Sequence, residues 1–223
     1  MNILVVTSPR TAGTYFLEKF LPEQYVGHTV YNYNELFDFN KQTLLDIEYF
    51  DNTENRPTVP LPPQNYLEKC FQFWENLHQH SNDVHAVKLF RNHFHGQRPL
   101  EFANSVKRIV KSSDKLYVLY RRDLTETVYS LYYAFTTKNY YVRHKENNEE
   151  IQVDAAIWRR LEQSVLANYE FMLNFAKRHG AEVVCKETDL PQHPYQTNHV
   201  FSDNSLVCDK SEYYHEEFQK LKL

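Results

Sequence analysis

The 223-residue chain is short of glycine, cysteine and long apolar runs, and each shortage narrows what it can be. Its only glycines are at positions 13, 27, 96 and 180, and the chain contains no repeat or low-complexity tract. Three cysteines, an odd number without Cys-x-x-Cys spacing, indicate free thiols in a reducing compartment. No segment approaches the roughly 18 apolar residues that a membrane-spanning helix needs.

The chain also has no excess of basic over acidic residues. The chain has 25 Lys and Arg against 29 Asp and Glu, a net charge of -4, which argues against a general nucleic-acid-binding surface. A local basic pocket is compatible with this charge. The opening residues MNILVVTSPR lack the basic and long apolar regions of a signal peptide, so we expect a cytoplasmic protein. The length fits one domain over 1–223.

Apolar runs typical of buried strands alternate with amphipathic stretches typical of helices. Strands are predicted over 2–8, 28–33, 84–90, 115–121 and 181–187. Helices are predicted over 13–21, 34–50, 65–80, 99–113, 123–135, 154–180 and near the end of the chain. This order predicts an α/β fold, a three-layer α/β/α arrangement around a central, mainly parallel sheet. A hairpin insertion is predicted over 139–154 and a proline-rich loop over 51–65.

The first predicted strand leads into a loop with the features of an anion site. In ILVVTSPRTAGTYF the strand is followed by a tight turn and a helix start, where free N–H groups attract phosphate or sulfate. Arg10 adds a permanent charge, Gly13 permits close backbone approach, and the hydroxyls of Thr11 and Thr14 add donors. The same residues also fit an ordinary connection with an incidental arginine.

The loop differs from the common nucleotide-binding motifs. A P-loop of the form GxxxxGK[ST] needs a first glycine and a Lys-Ser/Thr pair, and SPRTAGTY has neither. We therefore expect an anion cradle without the usual magnesium apparatus and no bound metal. The closely spaced His93 and His95 are a weak metal signal, because no third ligand has a recognisable spacing.

A second loop of interest follows the strand at 115–121. In LYVLYRRDLTETVYSLYY, Arg122 lies at a strand end and Ser130 two turns into the next helix, where the two side chains could meet around a second anion. Taken singly, Arg122 fits a solvated ion pair and Ser130 a neutral helix surface position.

Together the two loops resemble those of sulfotransferases that use 3′-phosphoadenosine 5′-phosphosulfate (PAPS). TSPRTAGTYF is similar to that family's 5′-phosphosulfate loop. YVLYRRDLTETVYSLYY is similar to its 3′-phosphate motif, in which an arginine precedes a helical serine by eight residues, the interval between Arg122 and Ser130. AEVVCKETDL resembles the family's late strand ending in an acidic residue and Asp-Leu. The resemblance implies a P-loop-NTPase-like sulfotransferase fold with PAPS as the sulfuryl donor.

The resemblance also implies roles for individual residues. Those expected around the 5′-phosphosulfate are Arg10, Thr11, Ala12, Gly13, Thr14 and Tyr15. Arg122 and Ser130 are expected to hold the 3′-phosphate. Arg10 would balance the charge on the departing phosphate oxygen, and Lys88 could share that task.

The general base is a point where the chain departs from the family. Many members place a catalytic histidine two residues after the strand lysine, and this chain has Phe90 there. Glu35, in YNYNELFDF, occupies a place comparable to a glutamate in some bacterial members and is the expected base. His93, His95 and His85 are the alternatives, and Glu35 would equally serve as a charge at a helix N-terminus.

The resulting hypothesis is a PAPS-dependent sulfotransferase acting on a hydroxyl of a small-molecule, glycan or lipid acceptor. Two other functions stay open: a nucleotide or small-molecule kinase on a related scaffold, and a non-catalytic anion- or glycan-binding module. The late Arg-Lys-Gly segment of cytosolic sulfotransferases does not occur here, which leaves nucleotide contacts from the C-terminal region open.

Overall fold

The architecture is α/β, with a central five-stranded parallel sheet flanked by helices, as the alternation of patterns predicts. A computed structural model describes residues 1–33, 35–37, 66–80, 83–94, 97–137, 150–190 and 201–222. The strands are β1 (Asn2–Thr7), β2 (Val30–Asn32), β3 (Val84–Leu89), β4 (Lys115–Tyr120) and β5 (Glu182–Cys185). Their order in the sheet is β2-β3-β1-β4-β5.

Most helices lie close to their predicted positions, but the helix at Lys186–Asp189 was not predicted and begins within the strand predicted over 181–187. The helices are α1 (Gly13–Tyr15), α2 (Leu21–Gln24), α3 (Tyr66–His80), α4 (Pro99–Lys111), α5 (Leu124–Thr137), α6 (Ala155–His179), α7 (Lys186–Asp189) and α8 (Ser211–Gln219). A π-helical turn over Phe16–Phe20 joins α1 to α2, and a 3-10 turn covers Arg91–Phe94. Most of the predicted helix at 34–50, the loop at 51–65 and most of the hairpin at 139–154 lie outside the described residues.

The chain divides into two compact units, which are described separately below. Unit 1 comprises Met1–Val6 and Phe16–Tyr117, and unit 2 comprises Thr7–Tyr15 and Val118–Leu223. The single domain expected from the length stays a prediction. None of the described helices combines the length and apolar character needed to cross a bilayer.

Unit 1 is built on two strands that are buried along their whole length. β1 and β3 pair in parallel, with Asn2 opposite His85 and Val6 opposite Leu89. Strands that are largely apolar and buried throughout are typical of parallel sheets covered on both faces. Asn2 is buried at the start of β1, and its Nδ2 donates to the carbonyls of Trp74 at 2.7 Å and Ser112 at 3.0 Å. These bonds satisfy a buried amide and fix the beginning of the strand.

Unit 2 is organised by the long helix α6, which has strong signals at both ends. Asp154 accepts hydrogen bonds from the backbone N–H groups of Ala156 and Ile157 at the N-terminus. Gly180 ends the helix with a φ of 62°, a left-handed conformation that glycine adopts readily. The two ends of the helix are therefore set by residues next to them in the chain. One residue of the helix, Tyr169, contacts the backbone at the end of β4.

Candidate functional site

Hydrogen bonds of two threonines stabilise the loop that follows β1. The hydroxyl of Thr7 donates to the carbonyl of Leu119 at 2.8 Å, and that of Thr11 donates to the carbonyl of Ser8 at 2.6 Å. The Thr7 and Thr11 oxygens also contact each other, and both residues are fully buried. The hydroxyl of Thr11 thus stabilises the loop, and what the residue offers a ligand is its backbone.

The backbone of this loop has an unusual conformation at two residues. Arg10 has a φ of 68° and Ala12 a φ of 63°, whereas Gly13 is not among the residues with positive φ. A left-handed conformation costs a residue with a β-carbon about 1–2 kcal/mol. Such residues, alternating with one of negative φ, turn successive N–H groups toward one point and form an anion-binding concavity. These conformations could not be predicted from the sequence, because they occur at an arginine and an alanine and not at the neighbouring Gly13.

The predicted residues at the far end of the loop form the short helix α1. Gly13, Thr14 and Tyr15 open a helical stretch that runs on to Gln24. The side chain of Thr14 is exposed and that of Tyr15 partly exposed. These residues contribute the first N–H groups of the stretch, on the same loop as Arg10.

Arg10 links the two sequence motifs. Its Nε donates a hydrogen bond to the Oγ of Ser130 at 2.9 Å, although the two residues are 120 positions apart. Burial lowers the pKa of the Arg10 guanidinium, and the nearby charge of Arg121 lowers it further. A bound anion would offset both effects, the loss of hydration and the like charge of Arg121.

Arg121 is the buried arginine at the end of β4. Its side chain is 9% exposed and forms ion pairs with Glu126 at 2.7 Å and with Glu187 at 3.3 Å. The hydroxyl of Tyr169 accepts from the Arg121 N–H at 2.9 Å and donates to the Arg121 carbonyl at 2.8 Å. Both the backbone and the side chain of Arg121 are therefore fixed. Sequence reasoning did not select this residue.

Arg122, the residue that was selected, lies in a different environment. Its side chain is 54% exposed and pairs with Glu212 at 3.2 Å, and its N–H donates to Glu187 at 2.8 Å. Its predicted partner Ser130 receives the hydrogen bond from Arg10. The eight-residue spacing of Arg122 and Ser130 therefore does not bring their side chains into contact in this structure.

Unit 1 contains a separate pair of the predicted catalytic residues. The Nζ of Lys88, near the end of β3, lies 3.5 Å from the Oε1 of Glu35. Lys88 is 5% exposed, and its ammonium lies 5.8 Å from the centre of the Phe90 ring. The pair places a cation beside a carboxylate, the kinds of group that serve in charge stabilisation and proton transfer.

The alternative bases are more constrained. His85 is buried, and its Nδ1 lies 3.1 Å from the hydroxyl of Tyr33, while the Tyr31 ring stacks on it at 5.2 Å. Burial lowers the pKa of His85 from the usual value of a histidine. His93 is buried too, and its Nδ1 accepts from the Phe90 N–H at 3.3 Å. His95 lies outside the described residues.

Comparison with protein-family models and a search of curated proteins find no match to this chain. Across the described ranges, no group of three or more His, Cys, Asp or Glu side chains is arranged to hold a metal ion. The described residues thus include a partly buried loop with an arginine in unit 2, and in unit 1 a buried lysine paired with a partly exposed glutamate.

Proposed function

We propose that the protein is a sulfotransferase that moves the sulfuryl group of PAPS to a hydroxyl of an acceptor. The observation that carries the proposal is the 2.9 Å hydrogen bond between Arg10 and Ser130. The sequence assigns the first residue to a 5′-phosphosulfate motif and the second to a 3′-phosphate motif. Contact between residues so distant in the chain supports reading the two motifs as parts of one nucleotide site.

The loop after β1 suits the group that such an enzyme must hold. The positive φ of Arg10 and Ala12 directs backbone N–H groups toward an anion, and the Arg10 guanidinium provides a charge that does not depend on pH in the working range. Transfer breaks the bond between sulfur and the bridging phosphate oxygen, and negative charge collects on that oxygen. Preorganised N–H donors and a cation at this position lower the barrier to that step.

Proton removal from the acceptor is assigned to Glu35. As the acceptor oxygen forms its bond to sulfur, its proton passes to the carboxylate of Glu35. The Oε1 of this carboxylate lies 3.5 Å from the Nζ of Lys88. His85 and His93 are less suited to the role, because each is buried and one ring nitrogen is already in a hydrogen bond or contact.

The proposal is tested by binding of the desulfated product, adenosine 3′,5′-bisphosphate. At about 100 times its dissociation constant the nucleotide should stabilise the folded chain by about 2.7 kcal/mol, with ATP and magnesium as the comparison. Arg10→Ala should weaken binding at least about tenfold, since it removes a charge-assisted hydrogen bond. Arg178→Ala, which removes an exposed arginine, is the matched control and should leave binding unchanged.

Turnover is measured separately, with labelled sulfate and a panel of sugar, phenol and lipid hydroxyls. Binding of the bisphosphate without transfer to any acceptor would favour the non-catalytic binding module. Binding of ATP with magnesium in preference to the bisphosphate would favour the kinase. Absence of any thermal shift with the bisphosphate would refute the nucleotide site itself.

A further inference from the structure

The short segment that carries Glu35 in unit 1 has a buried aromatic residue on each side of it. Tyr33 and Phe37 are both buried, and the Phe37 ring packs against Phe71 of α3 with a centroid distance of 5.5 Å. The backbone N–H of Tyr33 donates to the carbonyl of Ala86 in β3 at 2.9 Å. The position of Glu35 therefore depends on two buried neighbours, two residues before it and two residues after it.

The two neighbours differ in chemistry. Phe37 makes apolar contacts, which do not change with pH. Tyr33 carries a hydroxyl, and this hydroxyl lies 3.1 Å from the Nδ1 of His85 in β3. A buried hydroxyl that loses a hydrogen-bond partner lowers stability, so the bond to His85 contributes to the position of Tyr33.

His85 occupies an environment that suits a neutral ring. The ring is stacked on Tyr31 with an interplanar angle of 14°, and its Nε2 is buried without a hydrogen-bond partner in the described parts of the chain. A neutral ring with its proton on Nδ1 can donate to the hydroxyl oxygen of Tyr33 and leaves no buried N–H without an acceptor. A second proton, on Nε2, would be such a donor, so protonation of His85 favours movement of the ring.

The charged groups that act on His85 lie at the starts of β1 and β3. Burial is the largest effect on the pKa of His85 and lowers it, and the α-ammonium of Met1 lowers it further. Asp83 acts in the opposite direction. The residue opposite His85 in β1 is the uncharged Asn2. The pKa of His85 therefore lies below the usual value of a histidine.

Helix α3 adds no charge to this environment through its contacts with Tyr33. It packs Phe73 edge-on against the Tyr33 ring, with a centroid distance of 5.2 Å. Two carboxylates of the same helix, those of Glu68 and Glu75, are paired with Arg108 of α4. They are thus engaged by a cation of their own.

We propose that His85 is a positioning residue for Glu35 that acts through Tyr33. The neutral ring holds Tyr33, and uptake of a proton by His85 releases Tyr33 and moves Glu35 away from Lys88. The inference rests on the proposed function, in which Glu35 is the base. Because Glu35 is only two residues beyond Tyr33 and its Oε1 lies 3.5 Å from the Nζ of Lys88, a movement of Tyr33 disturbs this pair. Sulfuryl transfer then requires a neutral His85 as well as an ionised Glu35.

The kinetic test uses variants on both sides of the hydrogen bond. His85→Leu and Tyr33→Phe should each lower the kcat of sulfuryl transfer by about tenfold or more, because a displacement of about 1 Å near the reacting groups has effects of this size. Binding of adenosine 3′,5′-bisphosphate should change less than about twofold. His85→Asn keeps a hydrogen-bonding group near Nδ1 and does not titrate, so it should restore most of the wild-type kcat. His28→Asn removes an exposed histidine of the same unit and is the matched control.

A second measurement does not depend on activity. The carboxyl resonance of Glu35, identified by its absence from Glu35→Gln, is followed by NMR between about pH 4 and pH 8, together with the ring protons of His85. In the wild-type chain the Glu35 resonance should shift at the pKa of His85. This shift should be absent from His85→Asn and much smaller in Tyr33→Phe, where His85 still titrates but has lost its bond to the segment of Glu35.

The outcomes separate the two proposals. If the wild-type chain transfers sulfate and His85→Leu does so at the same rate, the role of His85 is refuted and the sulfotransferase proposal stands. A Glu35 resonance that is indifferent to the titration of His85 would also refute the role. So would an unchanged shift in Tyr33→Phe, because the charge of His85 would then act on Glu35 directly. If the shifts behave as expected but no acceptor receives sulfate, the positioning of Glu35 is supported and the proposed function fails.

Discussion

Tyr169 offers a sharp test of how the end of β4 is fixed. Its hydroxyl makes two hydrogen bonds to the backbone of Arg121, accepting from the N–H at 2.9 Å and donating to the carbonyl at 2.8 Å. The side chain is fully buried, and burial raises the pKa of Tyr169, so the hydroxyl keeps the proton that it donates. Tyr169→Phe removes both bonds and leaves the packing of the ring in place.

The expected loss of stability follows from the two backbone groups. Leaving a buried donor or acceptor without a partner lowers stability by about 1–3 kcal/mol. Water that enters the space of the lost hydroxyl can hydrate the Arg121 N–H and carbonyl in part, which reduces the total loss for the two groups. We therefore expect Tyr169→Phe to lower the free energy of unfolding by about 2 kcal/mol or more. In a chain of this length that corresponds to a fall in the melting temperature of about 4–8 °C.

The assay is urea unfolding followed by circular dichroism, with Tyr214→Phe as the matched control. The hydroxyl of Tyr214 lies 3.3 Å from a carboxylate oxygen of Glu170, an exposed residue that water can hydrate in its place. The control should lose less than about 1 kcal/mol. Equal losses in the two variants, or a Tyr169→Phe variant as stable as wild type, would show that Tyr169 does not fix the Arg121 backbone.

Two further predictions concern carboxylates. Glu35→Gln should lower the rate of sulfuryl transfer by about 10²–10⁴-fold without weakening the binding of adenosine 3′,5′-bisphosphate, and full activity in single-turnover kinetics would exclude Glu35 as the base. Glu217 accepts hydrogen bonds from Lys177 at 2.8 Å and from Lys220 at 2.6 Å, which lower its pKa to about 2. Because the folded pKa is depressed, its contribution to stability is present above about pH 4.5 and is lost as the pH falls toward 2. Urea midpoints measured at pH 6 and pH 3 should therefore differ less for Glu217→Gln than for wild type, and an equal difference would contradict the ion pairs.

The architecture was predictable because its signals are local. β1 is a nearly continuous apolar run and β3 is largely apolar, and in the structure every residue of both strands is buried. The long helix α6 ends at Gly180, as the sequence predicts from the preference of glycine for a left-handed C-terminal position. Patterns of this kind depend on burial and backbone preferences within one segment, so they need no knowledge of the rest of the chain.

The sequence alone does not show which of the two arginines, Arg121 or Arg122, is buried at the end of β4. Successive residues of a strand point to opposite faces, so a shift of one position at the end of β4 exchanges the buried and the exposed arginine. Spacing from Ser130 selects Arg122, whereas the structure buries Arg121 and exposes Arg122 beside Glu212. The partners that decide this, Glu187 and Glu212, lie 65 and 90 residues away from Arg122 in the chain.

Several unfavourable features of unit 2 lie in the loop after β1. Arg10 and Ala12 adopt left-handed conformations that cost about 1–2 kcal/mol each, and a like charge faces Arg10. The hydroxyl of Ser8 is buried and has no hydrogen-bond partner among the described residues. By contrast, the ends of α6 at Asp154 and Gly180 follow every local preference. Strained conformations of this kind are typical of sites where binding or catalysis compensates for the strain. Here an anion that accepts hydrogen bonds from the loop N–H groups and from Arg10 would provide that compensation.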